Sequence, residues 1–380
     1  MQLTKPLRQV LICLALAFAA TDSLADEYVI AILTPLSGAW VTLGRTMRNG
    51  IALALEEAED GGRFRQGVHL SLKDYDDNLD PAALAKRTER MVHENDAILV
   101  IGPMFSTRAE FLATTANRYS FPLLTPAVSE GVTAAGPWAF RSSVSPHRLI
   151  ESMTRGAIES TGARKIAVVY PAGNAGFQAQ ASTVASTAMQ MRKLVVGEVG
   201  LNEGDQSFAD TADSLRSVPV DLIFICMDAE PAGVLASRLR RAGLPKSTRL
   251  VFGPTAATPA LLQVGREYVE DAIVVTDYLP ELPGEQNKAF VAAYTQRFNM
   301  PPDRWAGIGY ATGVIAAEAV RNTGPSPNRA LMREALERGV RITAPIGKSR
   351  WTMGPHHEPQ YAPAFFTVRS GAFVPMETMH

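Results

Sequence analysis

Short apolar runs alternate with longer amphipathic stretches along most of this chain, and no other feature limits its fold as much. Residues 28–33, 69–74, 97–101 and 121–124 read as strands. Between them, 45–59, 81–94 and 107–118 carry helical periodicity, the second with Pro81 in its first turn. The order restarts after Val144, with strands at 165–170, 194–199, 220–225, 250–252 and 272–276 and helices such as 181–192 and 233–241. Strand-helix repetition calls for parallel pairing, because a crossover helix returns the chain to the same end of the sheet. There is enough of it for two doubly wound sheets. After Thr276 the order breaks. Helical stretches follow at 285–298, 305–322 and 328–337, then strand-like pieces such as 364–368. Joints rich in proline and glycine lie at 276–284 and 345–355.

At 380 residues the chain is too long for one ordinary core, which predicts two domains. Its first 25 residues read as a secretory signal peptide. Lys5 and Arg8 precede an apolar run at 10–20, and Ser23-Leu24-Ala25 puts small residues just before Asp26. The run is far shorter than the roughly 20 residues of a membrane span. Cys13 lies inside it rather than at the cleavage point, which argues against lipid attachment. The expected product begins near Asp26, is soluble and works outside the cytoplasm, with no direct membrane insertion. A formal net charge of −1 provides no field for nucleic acid or anionic membrane. Cys226 is the one cysteine beyond the signal, so no intramolecular disulfide is expected; it reads as a buried thiol at a strand end.

In open α/β sheets, ligands bind beyond the carboxyl ends of the strands. The loops there are 34–44, 102–106, 125–129, 171–176, 227–230 and 253–258, rich in Gly, Pro, Ser and Thr. Hydroxyls and free N–H groups beside helix starts suit a small anionic group such as a carboxylate. Ser106 and Ser129 fit that role, and equally fit plain helix caps. Catalytic and cofactor motifs fail by composition. Gly347-Lys348-Ser349 lacks the earlier glycine of a phosphate loop, since Ile342 stands there, and reads as a solvated turn. His356, His357 and Glu358 are too few for a metal site and read as a surface loop. Asp74, Asp76, Asp77 and Asp80 lack the glycine and distal glutamate of a calcium loop; a strand-to-helix turn with Asp80 capping at Pro81 accounts for them. The expectation is a protein without catalysis, cofactor or metal.

Several short signposts occur in order: Leu36-Ser37-Gly38 with Gly44, Tyr75-Asp76-Asp77 with Asp80-Pro81, and Val100-Ile101-Gly102-Pro103 with Ser106. Thr125-Pro126-Ala127-Val128-Ser129 and Phe252-Gly253-Pro254 follow. Over about residues 28–366 the chain resembles the leucine/isoleucine/valine-binding proteins that serve ABC importers. The resemblance implies a type I periplasmic binding fold, an α/β clamshell of two doubly wound, Rossmann-like lobes. Crossovers would fall near 141–145, 276–280 and 349–353. Lobe one would hold 26–143 and 278–350, and lobe two 144–277 and 351–380. It further implies a monomer that captures a small solute and delivers it to an ABC permease; a clamshell receptor that senses its ligand is the rival.

Site roles carry over unevenly. Ser106 falls where a hydroxyl binds the ligand carboxylate, and Ala127 and Ser129 where the amino-acid head is held. Thr255 falls where the amino-acid binders place a glutamate against the ammonium, a charge Thr cannot neutralise. Asp228 stands where an aromatic is usual and is the candidate replacement carboxylate. Leu43 and Ala175 also replace aromatics. Trp305 falls at a pocket wall, and Trp40 lies in the first ligand-side loop; either also fits interlobe packing. Leu79 and Phe105 occupy the places of the family's cysteine pair, where an apolar contact would substitute. An aliphatic amino acid, an amine-free carboxylate, an aromatic acid and a small amide all remain open as ligands.

Overall fold

Why the strands alternate between two faces is visible in the core. The computed structural model describes residues 26–94, 96–202, 215 and 218–376; the signal-peptide reading of 1–25 lies outside them. The first half runs β1 (Asp26–Thr34), α1 (Val41–Asp60), β2 (Val68–Asp76), α2 (Pro81–Glu89), β3 (Leu99–Ile101), α3 (Ser106–Tyr119), β4 (Leu123–Thr125), α4 (Glu130–Ala134) and β5 (Ala139–Arg141). These five strands form one parallel sheet in the order β2-β1-β3-β4-β5. Ile30 and Ile32 of β1 enter one core cluster with Leu99 and Ile101, while Ala31 and Leu33 enter another with Val100. Both faces are therefore covered, and the strands read as continuous apolar runs rather than alternating ones.

The second half runs α5 (Pro146–Thr161), β6 (Lys165–Pro171), α6 (Ala175–Gln190), β7 (Leu194–Leu201), β8 (Leu222–Ile225), α7 (Ala229–Arg241), β9 (Arg249–Phe252), α8 (Pro259–Gly265) and β10 (Ile273–Thr276). Its sheet has seven strands, and β6 to β10 are parallel. Ile166, Val168 and Phe224 face one core cluster, and Ala167, Val169 and Ile223 the other. After β10 come α9 (Glu285–Phe298), α10 (Arg304–Thr323) and α11 (Arg329–Glu337), then β11 (Arg341–Thr343), β12 (Arg350–Met353) and β13 (Pro359–Gln360) in a small antiparallel sheet. The last strands, β14 (Ala364–Arg369) and β15 (Ala372–Pro375), close the seven-stranded sheet on its β10 edge, antiparallel. Among the described residues no helix is long and apolar enough to cross a membrane.

The C-terminal helices return to the first sheet. α10 lies along α1, and the approach is so close that a Cβ on Gly309 would collide with the Met47 carbonyl. Trp351 and Met353 of β12 share a core cluster with β1 and β3, so the chain joins the second sheet only at Ala364. β5 escaped the sequence reading because it is three residues long and follows Gly136-Pro137. Cys226 is buried at the end of β8, where burial pushes its thiol up to about 12.

Candidate functional site

The order of the strands marks out a candidate site. In the first sheet the chain winds outward from β1 in both directions, so the order reverses between β1 and β3. In the second it reverses between β6 and β8. At such a reversal the two following loops leave in opposite directions and open a crevice beyond the strand ends. The loops after β1 and β3 carry Trp40 and Ser106, and the loop after β8 carries Asp228. Ala127 and Ser129 follow β4, and Thr255 follows β9, each one strand further out.

The loop after β3 is forced into shape by its neighbours. Gly102 has φ +104°, and a Cβ there would strike the Leu33 carbonyl. Its N–H donates to the Leu124 carbonyl at 2.9 Å. The Thr125 hydroxyl donates to the Pro103 carbonyl at 2.5 Å and accepts the Ala127 N–H at 3.0 Å, which locks the loops after β3 and β4 together. Ser106 is half-buried and is the first residue of α3; the cap position belongs to Phe105, whose side chain makes no cap bond. Ser129 does cap α4. Its hydroxyl accepts the Gly131 N–H at 3.2 Å and donates to the Glu110 carboxylate. Ala127 is buried.

Trp40 is 51% exposed and meets the Phe105 ring at a centroid distance of 5.5 Å, an aromatic pair that joins the loops after β1 and β3. Phe105 packs against one core cluster of the first sheet and Leu79 against the other. Trp305, second in α10, is half-buried against the first sheet's core, under the Arg304 guanidinium at 5.3 Å. Asp228 stands at the start of α7 with no cap hydrogen bond, and desolvation pushes its carboxyl up. The Thr255 hydroxyl donates to the Met227 carbonyl at 3.2 Å, tying the loops after β8 and β9. A hollow of about 610 Å³ lies elsewhere, against α9, and takes in none of these residues.

The acidic turn after β2 does more than approach a helix. Asp80 caps α2 as its sequence suggests, accepting from Ala82 and Ala83 at 2.9 Å. Asp76 accepts the Leu36 and Asn78 N–H groups at 2.9 and 3.0 Å. Burial raises its carboxyl, but hydrogen bonds from Ser37, Asn78 and Leu36 outweigh this and hold it low. Asp77 is fully buried, and the groups that favour its carboxylate are Arg108, at 4.0 Å, and the Met104 backbone N–H. Burial pushes its carboxyl up to about 6, against the pull of Arg108. Asp77 therefore holds its proton more tightly folded than unfolded. Stability gained this way is complete below the unfolded carboxyl value, about 3.9, and is lost as pH rises through about 6. Melting curves of wild type and Asp77→Asn across this window should diverge by about 2–3 kcal/mol, the wild type falling behind as pH rises. An offset constant with pH would contradict the assignment.

Sequence reading missed the polar cluster where the chain passes between sheets, because its members lie far apart in the chain. Arg304 holds buried Asp277 in a fork, Nε to Oδ1 at 2.6 Å and Nη2 to Oδ2 at 2.9 Å. The Asp277 carbonyl accepts the Gly347 N–H at 2.6 Å, so Gly347 is buried rather than in a solvated turn. The Trp351 indole donates to the Ser142 carbonyl at 2.9 Å, and the Ser142 and Thr312 hydroxyls are 2.8 Å apart. Buried Arg141 pairs with Glu358 at 2.5 Å and donates to the Val128 carbonyl at 2.7 Å. His357 stacks on Phe140 at 4.2 Å; burial lowers its ring's proton affinity, and its Nδ1 is 3.1 Å from the Ala139 carbonyl. The 356–358 segment is thus a brace, not a free loop. Among the described residues no cluster of His, Cys, Asp and Glu could hold a metal.

Comparison with known proteins agrees with this architecture. Curated proteins give no match. A Rhodospirillum rubrum structure, provisionally described as a branched-chain amino acid ABC transporter, is 21% identical with a TM-score of 0.84, covering 92% of this chain and all of its own. A Desulfitobacterium hafniense ABC transporter substrate-binding protein in complex with Leu is 18% identical with a TM-score of 0.73, covering 92% of this chain and 100% of that one. An ABC transporter solute binding protein of Rhodopseudomonas palustris HaA2, in complex with p-hydroxybenzoic acid, is 18% identical with a TM-score of 0.72, covering 93% and 96%. These likenesses concern the fold. A sequence model described as periplasmic binding protein matches residues 27–372, nearly the whole described chain. The chain belongs to the periplasmic binding protein family.

Proposed function

We propose that this protein is the solute-binding component of an ABC importer. It takes a small carboxylate-bearing solute, a branched-chain or related amino acid, and passes it to a membrane permease. The supporting observation is the pair of strand-order reversals, whose loops carry Trp40, Ser106 and Asp228. The lobes in this reading divide at 143/144 and 277/278. We put the third passage after β13 rather than near 349–353, a placement supported by Trp351 and Met353 in the first sheet's core. Clamshell closure would exclude water around a ligand held by few polar groups. The protein acts as a monomer in the periplasm and does no chemistry on its ligand.

Ser106 grips the ligand carboxylate together with the Ala127–Ser129 loop. Its hydroxyl has no cap role to fill, whereas that of Ser129 is shared with Gly131 and Glu110. Isothermal titration with a solute that binds should show Ser106→Ala weakened by about 1.5–3 kcal/mol, the worth of a hydrogen bond to a charged group. Unchanged affinity would remove Ser106 from the site.

Asp228 meets the ligand ammonium in the amino-acid reading, since Thr255 carries no charge. A second reading, an aromatic carboxylate without an amine, is favoured by the Trp40–Phe105 pair, which offers ring faces at the first sheet's strand ends. Thermal-shift screening separates them. A solute at 100 times its dissociation constant adds about 2.7 kcal/mol. Stabilisation by leucine that Asp228→Asn abolishes supports the amino-acid reading; stabilisation by benzoate alone supports the other.

A further inference from the structure

The loops after β1 and β3 have no direct hydrogen bond to each other among the bonds described, yet both are tied to one turn. The Asp77 N–H donates to the Thr34 carbonyl at 2.9 Å, where the first loop begins. Asp76 holds the Leu36 N–H. The Asn78 amide donates to the Ser37 hydroxyl at 3.4 Å and accepts from Arg108 at 3.2 Å. Arg108 belongs to α3, the helix that begins at Ser106. The Asp77 carboxyl lies beneath this frame, sealed from solvent, near the Met104 N–H and at 4.0 Å from Arg108. Between the loops stands the Trp40–Phe105 contact, one ring from each.

We propose that Asp77 is a positioning residue that sets, through Arg108 and Asn78, how the Trp40 loop sits against the Ser106 loop. A buried carboxylate draws Arg108 toward it; a neutral carboxyl releases Arg108 to Asn78 alone. The charged groups acting on Asp77 are Arg108 from α3 and Asp76 on its own strand, and the buried Thr34 hydroxyl of β1 is without a partner. The spacing of the two loops therefore follows the charge on Asp77. Its importance for solute capture rests on the binding role proposed above, but the coupling itself is testable without a solute.

Intrinsic tryptophan emission of the full-length protein, titrated from about pH 4.5 to about pH 7.5, reads it directly. The wild type should show a transition centred near pH 6. Trp40→Phe should abolish it, and Trp305→Phe should keep it. Asp77→Asn should be flat, with far-UV circular dichroism confirming its fold. Arg108→Gln should flatten the transition as well, since the link from Asp77 to Asn78 and the Trp40 loop runs through that guanidinium. That variant decides the matter if Asp77→Asn fails to fold. A wild type without the transition, or a transition that persists in Asp77→Asn or in Arg108→Gln, overturns the proposal. None of these results touches the reading of Ser106, which stands or falls on its own titration.

Discussion

Trp351→Ala should destabilise the protein by about 3–5 kcal/mol, the usual cost of emptying a large aromatic site in a core. Trp351 is the largest fully buried side chain among the described residues and packs with β1 and β3, although it follows β3 by 250 residues and β1 by still more. Its loss opens a cavity and also strips the Ser142 carbonyl of its donor, in the segment where the chain leaves the first sheet. Urea unfolding followed by circular dichroism would register a lower midpoint. Trp351→Phe separates the two contributions, because it keeps most of the volume and loses only the N–H; it should cost about 1–3 kcal/mol, the penalty for one unsatisfied buried group. Equal effects of the two variants would mean that the hydrogen bond, not the packing, carries the loss.

The second large effect is expected at Arg304. Arg304→Met leaves Asp277 buried and charged without its fork, and removing one partner of a buried pair costs about 3–5 kcal/mol. Asp277→Asn with Arg304→Met should recover much of that, since two neutral side chains leave no stranded charge. Asp277 also holds Gly347 through its carbonyl, so it ties the exit from β10 to the segment before β12. If the double variant is as unstable as Arg304→Met alone, the fork acts through shape and not through charge. A two-sheet chain need not unfold in one step, so the comparison is between midpoints recorded by the same probe.

Much of the fold was legible because periodicity is local. The run at 285–298 is helical over those same residues, and the strand at 165–170 extends by one residue to Pro171. The cap at Asp80 was legible for the same reason: aspartate followed by proline fixes a helix start within three residues. That Trp40 and Ser106 follow the ends of β1 and β3 was legible too, because a short apolar run marks its own end.

Other features have no local signature. Asp77 sits among Asp74, Asp76 and Asp80, a pattern that reads as a hydrated turn, yet it alone of these is sealed in the interior by β1 and α3. Glu358 follows two histidines in what reads as a surface loop, yet it meets buried Arg141 from 217 positions earlier. Ser106 and Ser129 look alike in sequence, and only packing separated them: Glu110, one helical turn beyond Ser106, reaches the Ser129 hydroxyl, while Phe105 takes the cap position of α3. By itself the sequence determined the two doubly wound sheets, because backbone hydrogen bonding and apolar spacing act over a few residues. Only the tertiary structure decided which charges are buried and which loops are tied together, because burial and pairing are set by elements that the chain brings together from hundreds of residues apart.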